Sequence, residues 1–368
     1  MKLLPLVIAS ALLVPAISAT ASAAPTTASD GRWQRLATSG TGPGERSAPV
    51  AAGLGRHLYV FGGVRDDFAT GQNTFHNDLL RLDTRTGRWT TLTPAGGPPA
   101  ARAFAAGVAS PALGRMFVFG GGQFDDTSLT PFDDLWSYAP ATNRWSRLDS
   151  RTPGPSGRSG PSMWIVDTKI YVFGGIDATF ATLDDLWVYD VRDGAWIELS
   201  PGGVRPQTRH VAMTGDTPVL GRLTLYGGEG DPSLGFPQLP DTWEFDLVRQ
   251  RWREVTPATG NIAPERNYGA AAVLGTRLYV QGGDVPGGSA GCGAPFPQNP
   301  TAELWRFDLL GRAWHRLDPA GDPLVRLKRH AAATVDGRMY AVSGWDFVCV
   351  DDVGPGQVWN LDVYSFTP

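Results

Sequence analysis

Short apolar runs that end in two glycines recur along the chain and predict β-strands of one repeating type. The runs read LYVFGG, MFVFGG, IYVFGG, LTLYGG and LYVQGG, with a divergent MYAVSG near the C-terminus. Apolar runs of this length between turn residues are typical of buried strands. The 46 glycines and 30 prolines among 368 residues indicate many tight turns. The pattern therefore predicts short strands in a repeated all-β architecture.

Two further features accompany each apolar run in a constant order. A segment rich in Pro and Gly precedes the run and carries one arginine, assigned as Arg46, Arg102, Arg158, Arg209, Arg266 and Arg329. A polar strand containing a tryptophan follows, with Trp89, Trp145, Trp196, Trp252 and Trp314 spaced by roughly 50 to 60 residues. A period of this length with four strand-like segments per copy predicts a β-propeller. We assign the glycine pairs and the tryptophans to packing, because every blade meets the same packing problem.

Arginine, glycine pair and Trp at these offsets resemble the kelch repeat, and the resemblance covers residues 31–368. It implies a ring of four-stranded antiparallel blades of the galactose oxidase type, with strand a innermost and strand d outermost. The sixth copy lacks a strand d, which GRWQRL at 31–36 supplies with Trp33 in register. We expect an all-β, six-bladed kelch-type β-propeller whose last blade is closed by the N-terminal strand.

The N-terminus predicts export. Lys2 precedes an apolar run over 3–17, and small residues with two Ala-x-Ala sites follow, which is typical of a secretory signal peptide over 1–23. We expect a disordered tail over 24–30 and the propeller over 31–368. No later segment is apolar for the roughly 18 residues that a membrane span needs. The chain resembles an exported, bacterial-type kelch protein, extracellular or periplasmic.

Charge and cysteine content narrow the function further. The net charge is −4 and the basic residues are scattered, so nucleic acid is not an expected partner. Cys292 and Cys349 lie in loops of neighbouring blades on one face, and an oxidising compartment favours a disulfide between them. No phosphate loop, nucleophile elbow or His-Glu-x-x-His motif occurs, so we expect no cofactor and no metal.

Acidic residues begin the loops that follow the glycine pairs, and in a kelch-like ring these loops share a face with the arginines. The acids are Asp66, Asp67, Asp125, Asp126, Asp177, Glu229, Asp231, Asp284 and Asp346. One interpretation is that the acids and arginines pair with each other and with loop carbonyls. The other is that several arginines point into the channel and bind an anionic or polyhydroxylated ligand, for which the planar guanidinium is well suited.

Blades four to six depart from the repeat and supply the candidate site. His210 and His330 follow the arginine in the fourth and sixth blades, Asn267 holds that place in the fifth, and Trp345 begins the last loop. The candidate ligand-binding residues are Arg209, Arg266, Arg329, His210, Asn267, His330, Trp345, Asp284 and Asp346, with Arg46, Arg102 and Arg158 from the other blades. Trp345, Phe124, Phe347 and Tyr268 either form an apolar platform for a sugar ring or pack the loops.

Three enzyme families with kelch-type rings were compared with these residues. The copper ligands of galactose oxidase and the Glu-x-x-x-Asp-x-x-x-His iron motif of plant nitrile-specifier proteins have no counterpart here. The bacterial sialic acid mutarotase is similar in blade number and export, but no catalytic residue matches. We expect a monomeric exported binding module for a protein or glycan-like ligand, anionic if the arginines bind it. The alternative is a small sugar or acid isomerase using a mouth carboxylate and an arginine.

Overall fold

The computed structural model describes residues 30–68, 70–125, 127–215, 219–322 and 324–368. The predicted signal peptide, the predicted tail apart from Asp30, and Asp126 lie outside the described residues. Within these ranges the chain is built of strands, with one short 3-10 helix at Pro232–Leu234. No helix in the described ranges has the length and apolarity needed to cross a bilayer.

Six antiparallel sheets radiate as the blades of a propeller, which confirms the predicted fold class. Strands a to d of the first three blades are Val50–Leu54, His57–Phe61, Leu79–Asp83 and Arg88–Leu92; Ala106–Ser110, Arg115–Phe119, Leu135–Ala139 and Arg144–Arg147; Ser162–Val166, Lys169–Phe173, Leu186–Asp190 and Ala195–Leu199. Those of the next two are Met213–Thr214, Arg222–Tyr226, Thr242–Asp246 and Arg251–Glu254; Ala270–Leu274, Arg277–Gln281, Leu304–Asp308 and Ala313–Leu317.

The sixth blade joins the two ends of the chain. Its strands a, b and c are Ala331–Val335, Arg338–Val342 and Val363–Thr367, and its strand d is Arg32–Arg35. Strand d pairs antiparallel with strand c and places Trp33 opposite Phe366, as predicted. A short strand at Ala320–Gly321 adds to strand d in parallel and covers its outer edge.

The strands nearest the axis form a closed circle. Each strand a contacts the strand a of the next blade, and Ala331–Val335 contacts Val50–Leu54 to complete the ring. Small residues such as Ala52, Ala272 and Ala333 are buried there, because six strands converge on a narrow channel. The sequence composition of strand a therefore follows from its position.

The hydrophobic core contains six apolar clusters that are each shared by two adjacent blades. The strand d tryptophans are buried in these clusters, and those of blades 2 to 5 contact an aromatic residue of strand b in the preceding blade. The contacts are Phe61 with Trp145, Phe119 with Trp196, Phe173 with Trp252 and Tyr226 with Trp314. Since the wedge between blades widens outwards, a large flat side chain fills it best.

Four of the connections between strands b and c are hairpins that stand above the ring. Their strands are Val64–Asp67 and Gln72–Phe75, Gly122–Phe124 and Leu129–Pro131, Asp284–Gly291 and Ala294–Pro300, and Trp345–Val350 and Val353–Trp359. Trp359 therefore lies in the hairpin of blade 6 opposite Trp345, outside strand c of that blade. We call the side of the ring that carries these hairpins the mouth face.

A disulfide links the hairpins of blades 5 and 6, which confirms the predicted pairing. Cys292 and Cys349 form the bond, with Cα atoms 6.0 Å apart and a sequence separation of 57. The backbone N–H of Cys292 also donates to Asp352 Oδ1 at 2.6 Å. The two longest hairpins of the mouth face are therefore held together at their tips.

Five arginines make the same set of contacts in blades 1 to 5. In blade 3, Arg158 donates through Nη1 to the carbonyl of Gly174 at 3.0 Å, and through Nη1 and Nη2 to Asp185 at 2.5 and 2.9 Å. The other sets are Arg46 with Gly62 and Asp78, Arg102 with Gly120 and Asp134, Arg209 with Gly227 and Asp241, and Arg266 with Gly282 and Glu303. Each arginine thus joins the end of strand b to the start of strand c.

The first glycine of each pair lies beside these arginine contacts, where the backbone of the next blade passes close to it. Gly62 has a left-handed backbone with φ of 68°, and a Cβ there would lie 2.8 Å from the carbonyl oxygen of Arg102 in the next blade. A side chain at this position is therefore both strained and obstructed. The repeated glycine pair is explained by the close passage of the neighbouring blade.

Blade 6 departs from this arrangement, and the assignment of Arg329 to the repeated arginine position is wrong. The arginine carbonyl in blades 2 to 5 accepts the N–H of the second glycine of the preceding blade, and Leu327 makes that contact in blade 6. Arg329 is therefore two residues out of register. Asn360 replaces the guanidinium by donating to the carbonyl of Ser343 at 3.1 Å.

Deleting residues 31–36 is expected to expose the edge of strand Val363–Thr367 and to remove Trp33 from the core. The variant should aggregate and lose stability, because an unpaired edge strand templates association. Deleting residues 24–29 is the control and should change neither property. Light scattering and thermal unfolding measure the outcome, and equal stability of both truncations would contradict closure by the N-terminal strand.

Replacing Arg158 by Leu is expected to lower the free energy of unfolding by about 3 kcal/mol, because Asp185 loses its counter-ion in a largely buried site. Burial alone would raise the pKa of Asp185, and Arg158 holds it below its usual value. The double variant R158L/D185N should be more stable than R158L. Urea denaturation of both singles and the double measures this coupling, and strictly additive effects would refute it.

Replacing Cys292 and Cys349 together by Ser is expected to destabilise the fold by up to about 4 kcal/mol, since the bond restricts the unfolded chain over the 57-residue span. Urea denaturation compares the variant with the wild type. A thiol assay on the unreduced folded protein provides the check, because two reactive cysteines would show that no bridge forms.

Candidate functional site

One residue pair in each blade lies where strand a approaches the mouth face. The pair joins the residue after the arginine position to the residue after the glycine pair through an isolated antiparallel bridge. The pairs are Ser47 with Val64, Ala103 with Gly122, Ser159 with Ile176, His210 with Glu229, Asn267 with Asp284, and Lys328 with Trp345. Blades 1 to 3 carry small or apolar residues here, whereas blades 4 to 6 carry most of the polar ones. The six-fold repeat is therefore broken into an apolar and a polar half.

The next residue of each blade forms a ring around the axis, which we call the axial ring. Its members are Ala48, Phe104, Gly160, Val211, Tyr268 and Arg329, each with a left-handed backbone. Within the described part of the chain, five backbone hydrogen bonds join successive members of this ring. Examples are Phe104 N–H to Ala48 O at 3.1 Å and Arg329 N–H to Tyr268 O at 2.8 Å. The unusual backbone is thus stabilised by the circle itself, and its side chains line the narrow channel below the mouth.

A cavity of about 780 Å³ opens on the mouth face above the axial ring. We call it the mouth cavity. Its walls are largely apolar and come from blades 2 to 5, with the aromatic residues Phe104, Phe124, Phe180, Phe236, Tyr268 and Phe296. On the remaining side the blade 1 and blade 6 hairpins touch, where Phe68 packs edge-on against Trp345 at 5.5 Å. The opening is therefore displaced from the axis towards blades 2 to 5.

Glu229 is the centre of a hydrogen-bond network in the floor of the cavity. Its Oε1 accepts from Asn267 Nδ2 at 2.5 Å, and its Oε2 accepts from the Tyr268 hydroxyl at 3.0 Å. His210 Nε2 lies 2.9 Å from the same Oε2, and it donates there in the tautomer that carries the proton on Nε2, which is the one that an ionised Glu229 requires. Burial raises the pKa of Glu229, and it lowers the pKa of His210 to about 3, so the imidazole is neutral.

Two buried ion pairs lie beside this network. Lys328 Nζ donates to Asp284 Oδ2 at 2.5 Å and to Gln298 Oε1 at 2.6 Å. Arg329 Nη1 donates to Asp66 Oδ2 at 2.6 Å, and its guanidinium lies 4.9 Å from the ring centre of Tyr268. Burial lowers the pKa of Lys328 to about 8, so the ammonium is largely retained at neutral pH. Both cations are therefore neutralised within the protein.

The structure brings some predicted residues together and separates others. His210, Asn267, Asp284 and Arg329 line the mouth cavity. The other five arginines, including Arg209 and Arg266, are buried in the contacts between strands b and c and do not line it. Asp346 pairs with Arg326, and Trp345 is buried beneath Lys328 and Arg329. The first interpretation of the arginines, pairing within the fold, describes five of the six.

His330 occupies a separate, deeper position. It lines a small cavity of about 130 Å³ inside the axial ring together with Arg329. Both ring nitrogens are buried without a hydrogen-bond partner, and burial lowers the pKa of His330 to about 3. His330 is thus not equivalent to His210, because the register of blade 6 is shifted by two residues.

Sequence reasoning missed Lys328, Gln238 and Phe236. Lys328 occupies the blade 6 position that His210 and Asn267 hold in their blades, and the misplaced arginine register concealed it. In all six blades this position lies three residues before the first residue of strand a, so aligning the copies on strand a instead of on the arginine would have found Lys328. Gln238 and Phe236 lie in the irregular connection of blade 4, for which the repeat offers no template.

Among the described residues, one group of side chains has the spacing of a metal site, and it consists of Cys292, Cys349 and Asp352. The two sulfurs are joined to each other in the disulfide, so they are not thiolate ligands. The Glu229 network contains one histidine and one carboxylate, whose hydrogen bonds are made within the protein.

Comparison with known proteins agrees with this architecture. The model of the KLHDC2/KLHL20/DRC7 Kelch-repeats domain matches residues 24–175, 69–283 and 210–367. Among curated proteins, the chain is similar to N-(sulfonatooxy)prop-2-enimidothioate sulfolyase of Thlaspi arvense, with 27% identity over 69% of this chain and 75% of that protein. It is also similar to Kelch domain-containing protein 3 of Bos taurus and Homo sapiens, with 29% identity over 59% of this chain. The match spans just over half of those mammalian proteins, 55% of their length. The chain belongs to the kelch-repeat family, within the KLHDC2/KLHL20/DRC7 domain group.

Proposed function

We propose that the chain is an exported binding module that holds a segment of a partner protein in the mouth cavity. Kelch propellers are commonly protein-interaction modules, which supports a protein ligand over a glycan. The observation that carries the proposal is the off-axis cavity of about 780 Å³, whose apolar wall surrounds a polar floor. Export rests on the N-terminal sequence, and the Cys292–Cys349 disulfide supports it, since such bonds persist in oxidising compartments.

The walls supply the binding energy in this proposal. Phe180 and Phe296 are 38% and 43% exposed, although large aromatic side chains are usually buried. They belong to the loops of blades 3 and 5 and both line the cavity. Exposed aromatic side chains around a concave site are typical anchors for a partner.

The six arginines form ion pairs within the protein, whereas binding of an anionic ligand would require unpaired arginines. Five of them are bound to carboxylates within their own blades, and Arg329 is bound to Asp66. A glycan-like ligand remains compatible with the aromatic wall, which offers faces for sugar rings. We therefore place recognition in the wall and floor of the mouth cavity rather than in the arginine ring.

A second candidate function is the small sugar or acid isomerase. The observation that favours it is the raised pKa of Glu229, a carboxyl in an apolar cavity, which is a property of many general bases. One relative is named as an enzyme, the sulfolyase of Thlaspi arvense. Binding is the preferred proposal because Asn267, Tyr268 and His210 already bond to this carboxylate and hold it in place.

Selection from a displayed library of random peptides tests the proposal directly. Peptides selected on the wild type should lose at least tenfold in affinity for the double variant F180A/F296A, because both anchors are removed. The control I197A/L310A truncates two exposed apolar residues of the same blades away from the mouth face, and it should bind normally. A selection without binders, or binders that tolerate both double variants equally, would overturn the proposal.

A further inference from the structure

We infer that the mouth cavity recognises an organic cation, an ammonium or guanidinium group on an apolar body, and that Glu229 is its counter-charge. This inference rests on the proposed function, because it specifies what the same cavity binds. It reverses the charge that the arginine-rich sequence suggests.

The charges of the cavity floor do not balance. Arg329 is paired with Asp66 and Lys328 with Asp284, while His210 is neutral. Glu229 forms no ion pair with Lys328 or Arg329, although their charges act on it through space, and its three hydrogen-bond partners are the neutral groups of Asn267, Tyr268 and His210. Donors already point at both of its oxygens, so these contacts favour the ionised carboxylate. Asp125 and Glu265 at the rim add negative charge to the same cavity.

The unpartnered polar atoms that line the cavity are mainly acceptors. Because His210 donates through Nε2 to Glu229, its Nδ1 carries a lone pair, and this atom is buried without a partner. Gln238 donates through Nε2 to the carbonyl of Asp284 at 3.2 Å, which leaves its buried Oε1 unpartnered. Buried acceptors without donors are costly, so a ligand carrying several N–H groups would satisfy them. The one unpartnered donor among these lining residues, Nε of Arg329, suits a neutral acceptor next to the cation.

The aromatic wall is continuous with this floor. Ring contacts connect Phe236 to His210 at 6.0 Å, His210 to Tyr268 at 6.3 Å, and Tyr268 to Phe104 at 5.8 Å. Aromatic faces attract cations and also cover the apolar body of a ligand. Full charge, free acceptors and aromatic faces therefore meet at one place, and an anion or a purely apolar group satisfies fewer of them.

The cation comes from one of two sources that share this chemistry, a free amine or a basic side chain of a bound peptide. The probes are 4-phenylbutylamine, its matched alcohol and its matched carboxylic acid, together with acetylated, amidated Phe-Lys-Phe and Phe-norleucine-Phe peptides. Binding is measured by calorimetry and by NMR shifts of the protein. A Lys peptide that binds more tightly than the amine identifies the peptide source, and the reverse identifies the free amine.

The wild type should bind the amine at least tenfold more tightly than the alcohol and more tightly still than the acid. Glu229→Gln should remove this preference. Glu198→Gln is the control, because it removes the same charge from an exposed position on strand d of blade 3. Thermal unfolding establishes that both variants are folded, and the comparison of probes on the wild type is independent of any variant.

Equal affinity for the amine and the alcohol, or an unchanged preference in Glu229→Gln, would overturn the inference, as would failure of every cationic probe to bind. The two proposals fail separately. If peptides selected on the wild type require Phe180 and Phe296 but share no Lys or Arg, the cavity is a binding site and the cation inference is wrong.

Discussion

The buried contact of an arginine with a carboxylate and a strand-end carbonyl is the constraint on which each of the first five blades depends. Strand b must turn at the glycine pair to allow the next blade to pass, and the turn leaves a carbonyl such as Gly174 O inside the protein. The guanidinium bonds to that carbonyl and to Asp185 at once, and so fixes the start of strand c. Because the carbonyl and the carboxylate accept from donors that lie in one plane, neither Lys nor a neutral side chain makes the full set of contacts.

Blade 6 is informative because it lacks this contact. Leu327 stands in the arginine position, Asn360 bonds to the carbonyl, and Asp362 is released to pair with Arg35 of the closing strand at 3.4 Å. Lys328 and Arg329 occupy the bridge position and the axial-ring position of this blade, where blades 1 to 5 carry neither Lys nor Arg. The loss of one structural arginine thus coincides with the charged floor of the mouth cavity.

Features that repeat, and the single bridge that two cysteines allow, were predictable from the sequence, whereas the other features that occur once were not. Trp33 identified the closing strand because five other tryptophans defined its register. The disulfide between Cys292 and Cys349 was predictable because two cysteines allow one internal bridge. Arg329 was misassigned because the copies were aligned on their arginines. The spacing favours Leu327, which lies 16 residues before Ser343 as Arg46 does before Gly62, whereas Arg329 lies 14 residues before it. The role of Glu229 depends on three partners from blades 4 and 5, which only the folded backbone brings together.

Closure by the N-terminal strand also has a consequence for the order of folding. The hydrogen bond from Ser365 to Gln34 joins residues 331 positions apart. The closing strand Arg32–Arg35 therefore cannot pair until strand c of blade 6, at the other end of the chain, has been synthesised. Until then, blade 6 has no outer strand, and Trp33 cannot enter the cluster that it shares with blade 5. Contacts of such long range form slowly, because the entropy of closing the loop is lost before they are gained. Once formed, they make the two chain ends hold each other in place, so that the ring is protected against unravelling from either terminus.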